Sequence, residues 1–387
     1  MRHIKACMSL ARSKSRSQKL TSDVTAGAVP ADNLKVSFPR ISLPVRPPFA
    51  PMEAKSVLQI PAGNGWLYEP KWDGFRAVAF RSGDQVLLQS KSRQPLGRYF
   101  PELVDAIRLL PQNKFVLDGE IVISRGGRLS FDDLLLRIHP AASRVRRLAT
   151  ETPCTYFVFD ILVDDRGQRV TGLPLDERRG RLRAFFRRVP RDSRLQLSPA
   201  TTARHAAERW MQELGAAGFD GVVAKRLDQP YLSSQRAMEK IKRLRTADCV
   251  VGGFRYSEKR NQIGSLLLGL YNQQGQLDHV GFTSSFNRED RRALKKVVEP
   301  LVGGTGFTGR APGGPSRWST RRSDQWQPLD PKLVCEVQYD HFAGGRFRHG
   351  TKFLRWRPDK APQQCTFEQV LPLSGRKGLM ELLGTAA

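Results

Sequence analysis

Short apolar runs separated by turn residues recur through the middle of the chain. Ala77–Arg81, Val86–Ser90, Phe115–Ser124, Tyr156–Val163 and Gly221–Arg226 have the length and the β-branched or aromatic content of strands. Helical patterns interrupt them at Pro101–Leu110, Leu175–Val189 and Thr202–Ala217. That mixture predicts an α+β domain built around antiparallel sheets. From Asp248 the texture changes to strands at close spacing, Val250–Tyr256, Ser265–Tyr271 and Leu277–Ser284, the last two joined by the turn-like Asn272-Gln273-Gln274-Gly275. These predict a small β-barrel. One helix is written inside it: Asn287 can cap it, Glu289 and Asp290 sit in its first turn, and Lys295 and Lys296 lie toward its end before Pro300. A helix between barrel strands is a feature of the OB-fold.

The remaining segments lack such a period. Residues 1–47 interleave Arg12, Lys14, Arg16 and Lys19 with Ser13, Ser15 and Ser17, then run into Pro47 and Pro48. They read as a disordered basic tail, with an organellar transit peptide as a second reading. The Gly-, Pro-, Arg- and Trp-bearing stretch from Val302 to Pro328 exceeds an ordinary hairpin loop and is either an ordered insertion or a loop that closes on nucleic acid. The division expected is a tail over 1–47, a first domain over 48–247 and a second over 248–387.

Charge sharpens this picture. Sixty-four Lys and Arg stand against 37 Asp and Glu, a formal net charge of +27 among 387 residues, which calls for a polyanionic partner, nucleic acid foremost. No run approaches the roughly 18 apolar residues needed to span a bilayer, so a soluble, intracellular protein with no membrane partner is expected. The five cysteines lie far apart with no C-x-x-C pair, which disfavours a zinc module and a disulfide framework.

The sharpest chemical signal is Glu69-Pro70-Lys71-Trp72-Asp73-Gly74-Phe75-Arg76, a K-x-D-G-x-R pattern at the end of an extended run. Gly74 offers permissive backbone near a nucleotide, and Arg76 a planar donor for phosphate or ribose oxygens. A lysine that attacks a phosphorus must be a neutral amine, although its reference pKa is about 10.4. Such a site should therefore surround Lys71 with cations that penalise the ammonium form. Downstream, Leu117-Asp118-Gly119-Glu120 places a carboxylate at the mouth of an apolar strand, and Tyr156-Phe157-Val158-Phe159-Asp160 offers aromatics on a buried one. Phe219-Asp220-Gly221 repeats the acid-Gly turn and leads to Lys225, while Lys240 and Lys242 share a face of an extended segment.

Taken in order, and closed by Phe353-Leu354-Arg355-Trp356-Arg357-Pro358-Asp359-Lys360, this series resembles the motifs of the DNA ligase and mRNA-capping superfamily. Residues 48 to 375 are similar to the bacterial ATP-dependent DNA ligases of the ligase C type and to the ligase domain of ligase D. The resemblance implies an α+β fold: a nucleotidyltransferase (adenylation) domain with ATP-grasp-like antiparallel sheets, followed by an OB-fold barrel. It implies Lys71 as the nucleophile that takes AMP from ATP, Glu69 and Pro70 bordering adenine, and Phe159 stacked on the purine. Arg76 and Arg93 would grip AMP and the nick phosphate. Glu120 would touch the ribose and, with Asp220, hold magnesium or manganese. Asp220 stands where the wider family has glutamate, which leaves direct or water-mediated metal contact open. Lys225, Lys240 and Lys242 would lie along the triphosphate, and Arg357, Asp359 and Lys360 would swing over it about a hinge near Thr246 to Val251.

The partner implied is nicked duplex DNA, bound by a monomer in the bacterial cytoplasm at the nucleoid, in DNA repair and recombination. Capping with GTP, RNA ligation and a non-catalytic DNA-binding role on a decayed scaffold are the alternatives at this stage. The Trp72 and Trp356 contexts favour ligation.

Overall fold

The computed structural model describes residues 38–213, 218–257, 262–313 and 325–371, all within one compact unit. Two sheets face one another in its first half. The four-stranded sheet runs β1 (Glu53–Val57), β10 (Arg236–Lys242), β9 (Gly221–Arg226) and β2 (Trp66–Lys71), with β1 parallel to β10 and the other pairs antiparallel. The six-stranded sheet orders β4 (Gln85–Ser90), β3 (Phe75–Ser82), β5 (Lys114–Arg125), β7 (Cys154–Val163) and β8 (Leu195–Leu197), with the short β6 (Arg128–Leu129) turned back on β5.

β3, β5 and β7 are nearly continuous buried runs because both faces of their sheet are covered. On one face Ala77, Ala79, Leu117, Ile121 and Ile161 pack against α1 (Pro101–Arg108), α2 (Phe131–Leu136) and α4 (Leu175–Phe186). On the other, Val78, Phe80, Val116 and Leu162 meet Met238 and Val223 of the four-stranded sheet. The far face of that sheet, through Tyr68, Val222, Ala224 and Ile241, is closed by Ala207 and Trp210 of α5 (Arg204–Glu213). Helix starts follow local chemistry. Pro101 opens α1 with Glu102 in its first turn, Ser130 Oγ accepts from the Asp133 amide at the start of α2, and Asp176 and Glu177 occupy the positive first turn of α4. α3 (Ala142–Glu151) packs on α1.

The second half is a closed barrel. β11 (Arg245–Tyr256) pairs with β12 (Ile263–Tyr271), β12 with β13 (Leu277–Ser285), β13 in parallel with β18 (Thr351–Trp356), β18 with β15 (Val334–Tyr339), and β15 back to β11. Helix α6 (Arg288–Val298) lies between β13 and β15 in the chain, and β14 (Gln327–Pro328) adds to the edge of β11. That connectivity is the OB-fold. Its interior holds Val250, Phe254, Leu266, Leu268, Val280, Val337 and Phe353. A small hairpin, β16 (Phe342–Ala343) and β17 (Arg346–Phe347), projects between β15 and β18. Its Gly344 and Gly345 both have positive φ, as a tight hairpin turn requires.

Three sequence readings change here. The tail expected through residue 47 ends earlier, because Ile41, Leu43 and Val45 are buried with Phe80, Val116 and Tyr231; Arg12 to Lys19 lie outside the described residues, as do 214–217 of the expected helix and 314–324 of the long insertion. The hinge expected at Thr246 to Val251 is the interior of β11, paired with β15 from Arg245 to Val250. Only Arg243 and Leu244 lie between β10 and β11. Gly74 is required by its neighbour strand: a Cβ there would collide with the Ile121 carbonyl and press on Val122 and Glu120.

Candidate active site

Strand register gathers the chemistry. Across β2 and β9, Glu69 is level with Val223, Lys71 with Gly221 and Leu67 with Lys225. Across β9 and β10, Val223 is level with Lys240 and Gly221 with Lys242. Residues level with one another across strands, or two apart along one, share a face. Glu69, Lys71, Lys225, Lys240 and Lys242 therefore share one face of the four-stranded sheet. The six-stranded sheet turns Arg76, Asp118 and Glu120 to the inter-sheet space in the same way, Arg76 being level with Glu120.

The immediate company of Lys71 is acidic. Its Nζ donates to Asp220 Oδ2 at 2.6 Å, and Asp73 and Glu120 add negative charge nearby. Burial alone would lower the lysine pKa, but Asp220 first and Asp73 next outweigh it and hold it above the usual value. The expected ring of cations is thus not what meets Lys71 here; it is a paired ammonium. Burial would likewise raise the Asp220 carboxyl, yet Lys71 and His341 hold it well below the carboxylate range. Glu120 is pushed up to about 7 by burial, against the opposing pull of Arg76 and Lys71.

Beside Lys71 lies a second, drier cluster. Glu69 accepts from Lys225 Nζ at 2.6 Å and from Arg179 Nη1 at 3.3 Å. Lys225 Nζ stands 4.3 Å over the Phe159 ring and Arg76 Cζ 4.6 Å over it. Lys225, expected along a triphosphate, is instead bound to Glu69 beside the aromatic. Asp118, buried, takes Arg76 through Nε and Nη2, both at 2.6 Å, and also accepts from the Tyr231 hydroxyl at 2.5 Å. The guanidinium is held in one plane by that bidentate contact. Trp72 Nε1 donates to Ser198 Oγ at 3.0 Å and its ring stacks on Phe157 at 3.6 Å, which anchors the chain directly after Lys71.

The barrel reaches this site through its hairpin. Arg348 Nη1 donates to both oxygens of Asp73, at 2.7 and 2.5 Å, with its Cζ 3.3 Å over Phe131 of α2. Lys242 Nζ donates to Asp340 Oδ2 at 2.6 Å. His341 Nδ1 lies 3.6 Å from Asp220 Oδ1. Asp73, Asp220 and His341 offer ligand atoms within 4.8 Å of one another. Their carboxylate oxygens fit a hard divalent cation. Glu120, the expected partner of Asp220 in metal binding, is not part of that group.

Other expected residues stand apart. Arg357 Nη1 donates to Asp248 at 2.9 and 3.1 Å and its Nε to Asp359 at 2.9 Å, while Lys360 Nζ donates to Asp248 Oδ2 at 2.7 Å. These groups follow β18, whereas the hairpin precedes it, so the two occupy opposite ends of the β15–β18 ladder, about 20 Å apart for a six-residue strand. Arg93, at φ 63°, lines a separate cavity of about 390 Å³ with Pro51, Glu53, Lys91 and Ser234. Reading the sequence missed Asp248, Arg179, His341 and Arg348. Asp248 and Arg179 look like ordinary strand and helix charges, and the hairpin pair carries no motif.

Comparison with known proteins adds to this geometry. A family model described as the ATP dependent DNA ligase domain matches residues 50–242, and another, the ATP dependent DNA ligase C terminal region, matches 259–360. DNA ligase C1 of Mycolicibacterium smegmatis is 45% identical over 341 residues, covering 85% of this chain and 96% of that one. DNA ligase C of Mycobacterium tuberculosis is 45% identical over 349 residues, with the same coverage of 85% and 96%. Among solved structures, the ligase domain of M. tuberculosis LigD matches 82% of this chain and 98% of its own, at 25% identity and a TM-score of 0.42.

Proposed function

The chain belongs to the ATP-dependent DNA ligases, and from that premise we propose that Lys71 is the residue that carries AMP. Ligases of this family seal a 5′-phosphate to a 3′-hydroxyl through an adenylate. The observation that carries the assignment is the convergence of Glu69, Lys71, Lys225, Lys240 and Lys242 on one sheet face, opposite Arg76 and Glu120.

Each side chain then has a task. Lys71 Nζ attacks the α-phosphorus of ATP and expels pyrophosphate. The 5′-phosphate of the nick next takes AMP from Lys71, and the 3′-hydroxyl displaces AMP to close the strand. Phe159 supplies the flat surface against the purine, and Glu69 its polar edge. Arg76, fixed by Asp118, presents its remaining N–H groups to the nucleotide. Lys240 and Lys242 neutralise phosphate charge, and Arg357 and Lys360 do so at the leaving group, Arg93 at the nick. The proton on Lys71 must leave before attack, so Asp220 has to release the ammonium it holds here. Magnesium or manganese at Asp73 and Asp220, with Glu120 close by, would supply charge neutralisation at the phosphates.

Lys242 leaves its Asp340 contact in this scheme, and the connector Arg243–Leu244 is the pivot about which the barrel turns. The two halves divide there, with the nucleotide site in the first. Nicked duplex DNA is the substrate, bound by a monomer in the bacterial cytoplasm and nucleoid for repair and recombination. The test is exposure to labelled ATP or GTP with magnesium, mass spectrometry of the Lys71 peptide, and sealing of nicked DNA against nicked RNA. An AMP adduct on Lys71, lost in Lys71→Ala together with sealing, is the expected result; labelling by GTP alone, or sealing by Lys71→Ala, would overturn it.

A further inference from the structure

Arg179 sits on α4, its side chain 3% exposed, with no counterpart in the motifs of the chain. It joins three separate segments of the site. Nη1 donates to Glu69 Oε1 at 3.3 Å and to the Phe159 carbonyl at 3.4 Å, and Nη2 donates to the Ser198 carbonyl. Ser198 in turn receives Trp72 Nε1 and donates its amide to the Val158 carbonyl. One guanidinium thus ties the strand entering Lys71, the strand of Phe159 and the loop behind Trp72.

Its burial is costly. Among the described residues its Nε is one of few buried polar atoms without a hydrogen-bond partner, and burial lowers its pKa, a cost that Glu69 only partly offsets. Lys225 already pairs with Glu69, so the cluster holds two cations on one carboxylate. Neutralising the Glu69 charge alone does not call for the second cation, since Lys225 already supplies a full opposite charge. What Arg179 adds is direction: Lys225 holds Oε2 and Arg179 holds Oε1, which fixes the plane of the carboxylate and the backbone beneath Phe159.

We propose that Arg179 is a positioning residue that orients Glu69 and Phe159 and thereby sets the preference for a purine bearing a 6-amino group. A carboxylate fixed at the purine edge accepts from the 6-amino group of adenine and repels the 6-oxo group of guanine or hypoxanthine. This rests on the reading that Glu69 and Phe159 border the purine.

The experiment compares wild type, Arg179→Met and Arg179→Lys in AMP-adduct formation with ATP and in competition with ITP, whose base carries the 6-oxo group. Sealing of nicks already bearing AMP on the 5′-phosphate, a step without free nucleotide, is measured in parallel, with thermal unfolding of each variant. Arg179→Met is expected to raise KM for ATP about tenfold and to narrow ATP-over-ITP discrimination by a similar factor, a larger loss than in sealing of adenylated nicks, whose AMP is also held through the DNA. Arg179→Lys should recover part of the discrimination. Unchanged KM and discrimination would overturn the proposal, as would an equal loss in both steps accompanied by a lower Tm. Failure of wild type to form the Lys71 adduct would instead sink the underlying assignment, so the two outcomes are distinct.

Discussion

Lys71 Nζ and Asp220 Oδ2 stand 2.6 Å apart, so the amine proposed to carry AMP is held as an ammonium by the carboxylate that immediately precedes the neighbouring strand β9. An opposite charge at that distance favours the protonated form, and removing it lowers the lysine pKa. Asp220→Asn should therefore move the pH profile of AMP-adduct formation to lower pH, whatever its effect on the maximal rate. A profile that stays in place or moves upward would show that Asp220 does not govern the proton on Lys71.

Arg348, directly after the barrel hairpin, pairs with Asp73, two residues beyond Lys71. Arg348→Ala leaves a nearly buried carboxylate without its guanidinium and removes the contact over Phe131, a loss of roughly 2 kcal/mol in holding the halves together. Fluorophores placed on the two halves should report a wider mean separation in the variant; an unchanged distance would assign the closure to other contacts.

Asp248 gathers Arg357 and Lys360, and its own backbone is fixed by Gln369, which donates to the Asp248 carbonyl and accepts from its amide, both at 2.8 Å. Asp248→Ala should lower the rate of self-adenylation about tenfold, because the cations lose their common anchor. Sealing of nicks that already carry AMP should be spared. Equal losses in both reactions would assign Asp248 to barrel stability.

His279 is buried in the barrel wall, and its pKa is lowered to about 3, by burial first and then by Arg346. The folded state therefore binds this proton less readily than the unfolded chain. The stabilising difference is complete above about pH 6.5 and is lost as pH falls from there toward 3, amounting to roughly 2 kcal/mol at pH 5. Denaturant unfolding at pH 7 and pH 5 should show the drop, and His279→Phe should shrink it.

Compared with deletion of residues 1–37, deletion of 1–45 also removes Ile41, Leu43 and Val45 from contact with Phe80 and Val116. Each buried apolar side chain contributes about 1.5–3 kcal/mol, so the longer deletion should unfold several degrees lower. Equal Tm values would contradict the packing of that segment.

Much of the scaffold could be read from periodicity. β9 starts and ends where its apolar run does, and β3, β5 and β7 extend their runs by a few residues at most, since a strand buried on both faces announces itself by composition. Lys240 and Lys242 also share a face, as the alternation of strand side chains requires, while the register of β2, β9 and β10 brings Glu69 and Lys71 to that same face. What could not be read was pairing at a distance. That Lys225 turns to Glu69, Arg76 to Asp118, and Arg348 to Asp73 depends on register between segments far apart in sequence. The acidic company of Lys71 follows from the same cause: Asp220 is a turn residue until β2 and β9 set it beside the amine.

The β15–β18 ladder has the hairpin at one end and the Arg357–Lys360 cations at the other, on a barrel joined to the first half by Arg243 and Leu244. So short a tether keeps the barrel at hand, and any exchange between its two ends is unimolecular, proceeding at the same rate however dilute the protein. A rigid body can offer Lys71 only one end at a time. On the roles proposed for Lys71, Arg357 and Lys360, a covalent staple that pinned the hairpin in place would leave a single-turnover reagent, able to spend an adenylate it already holds and unable to recharge.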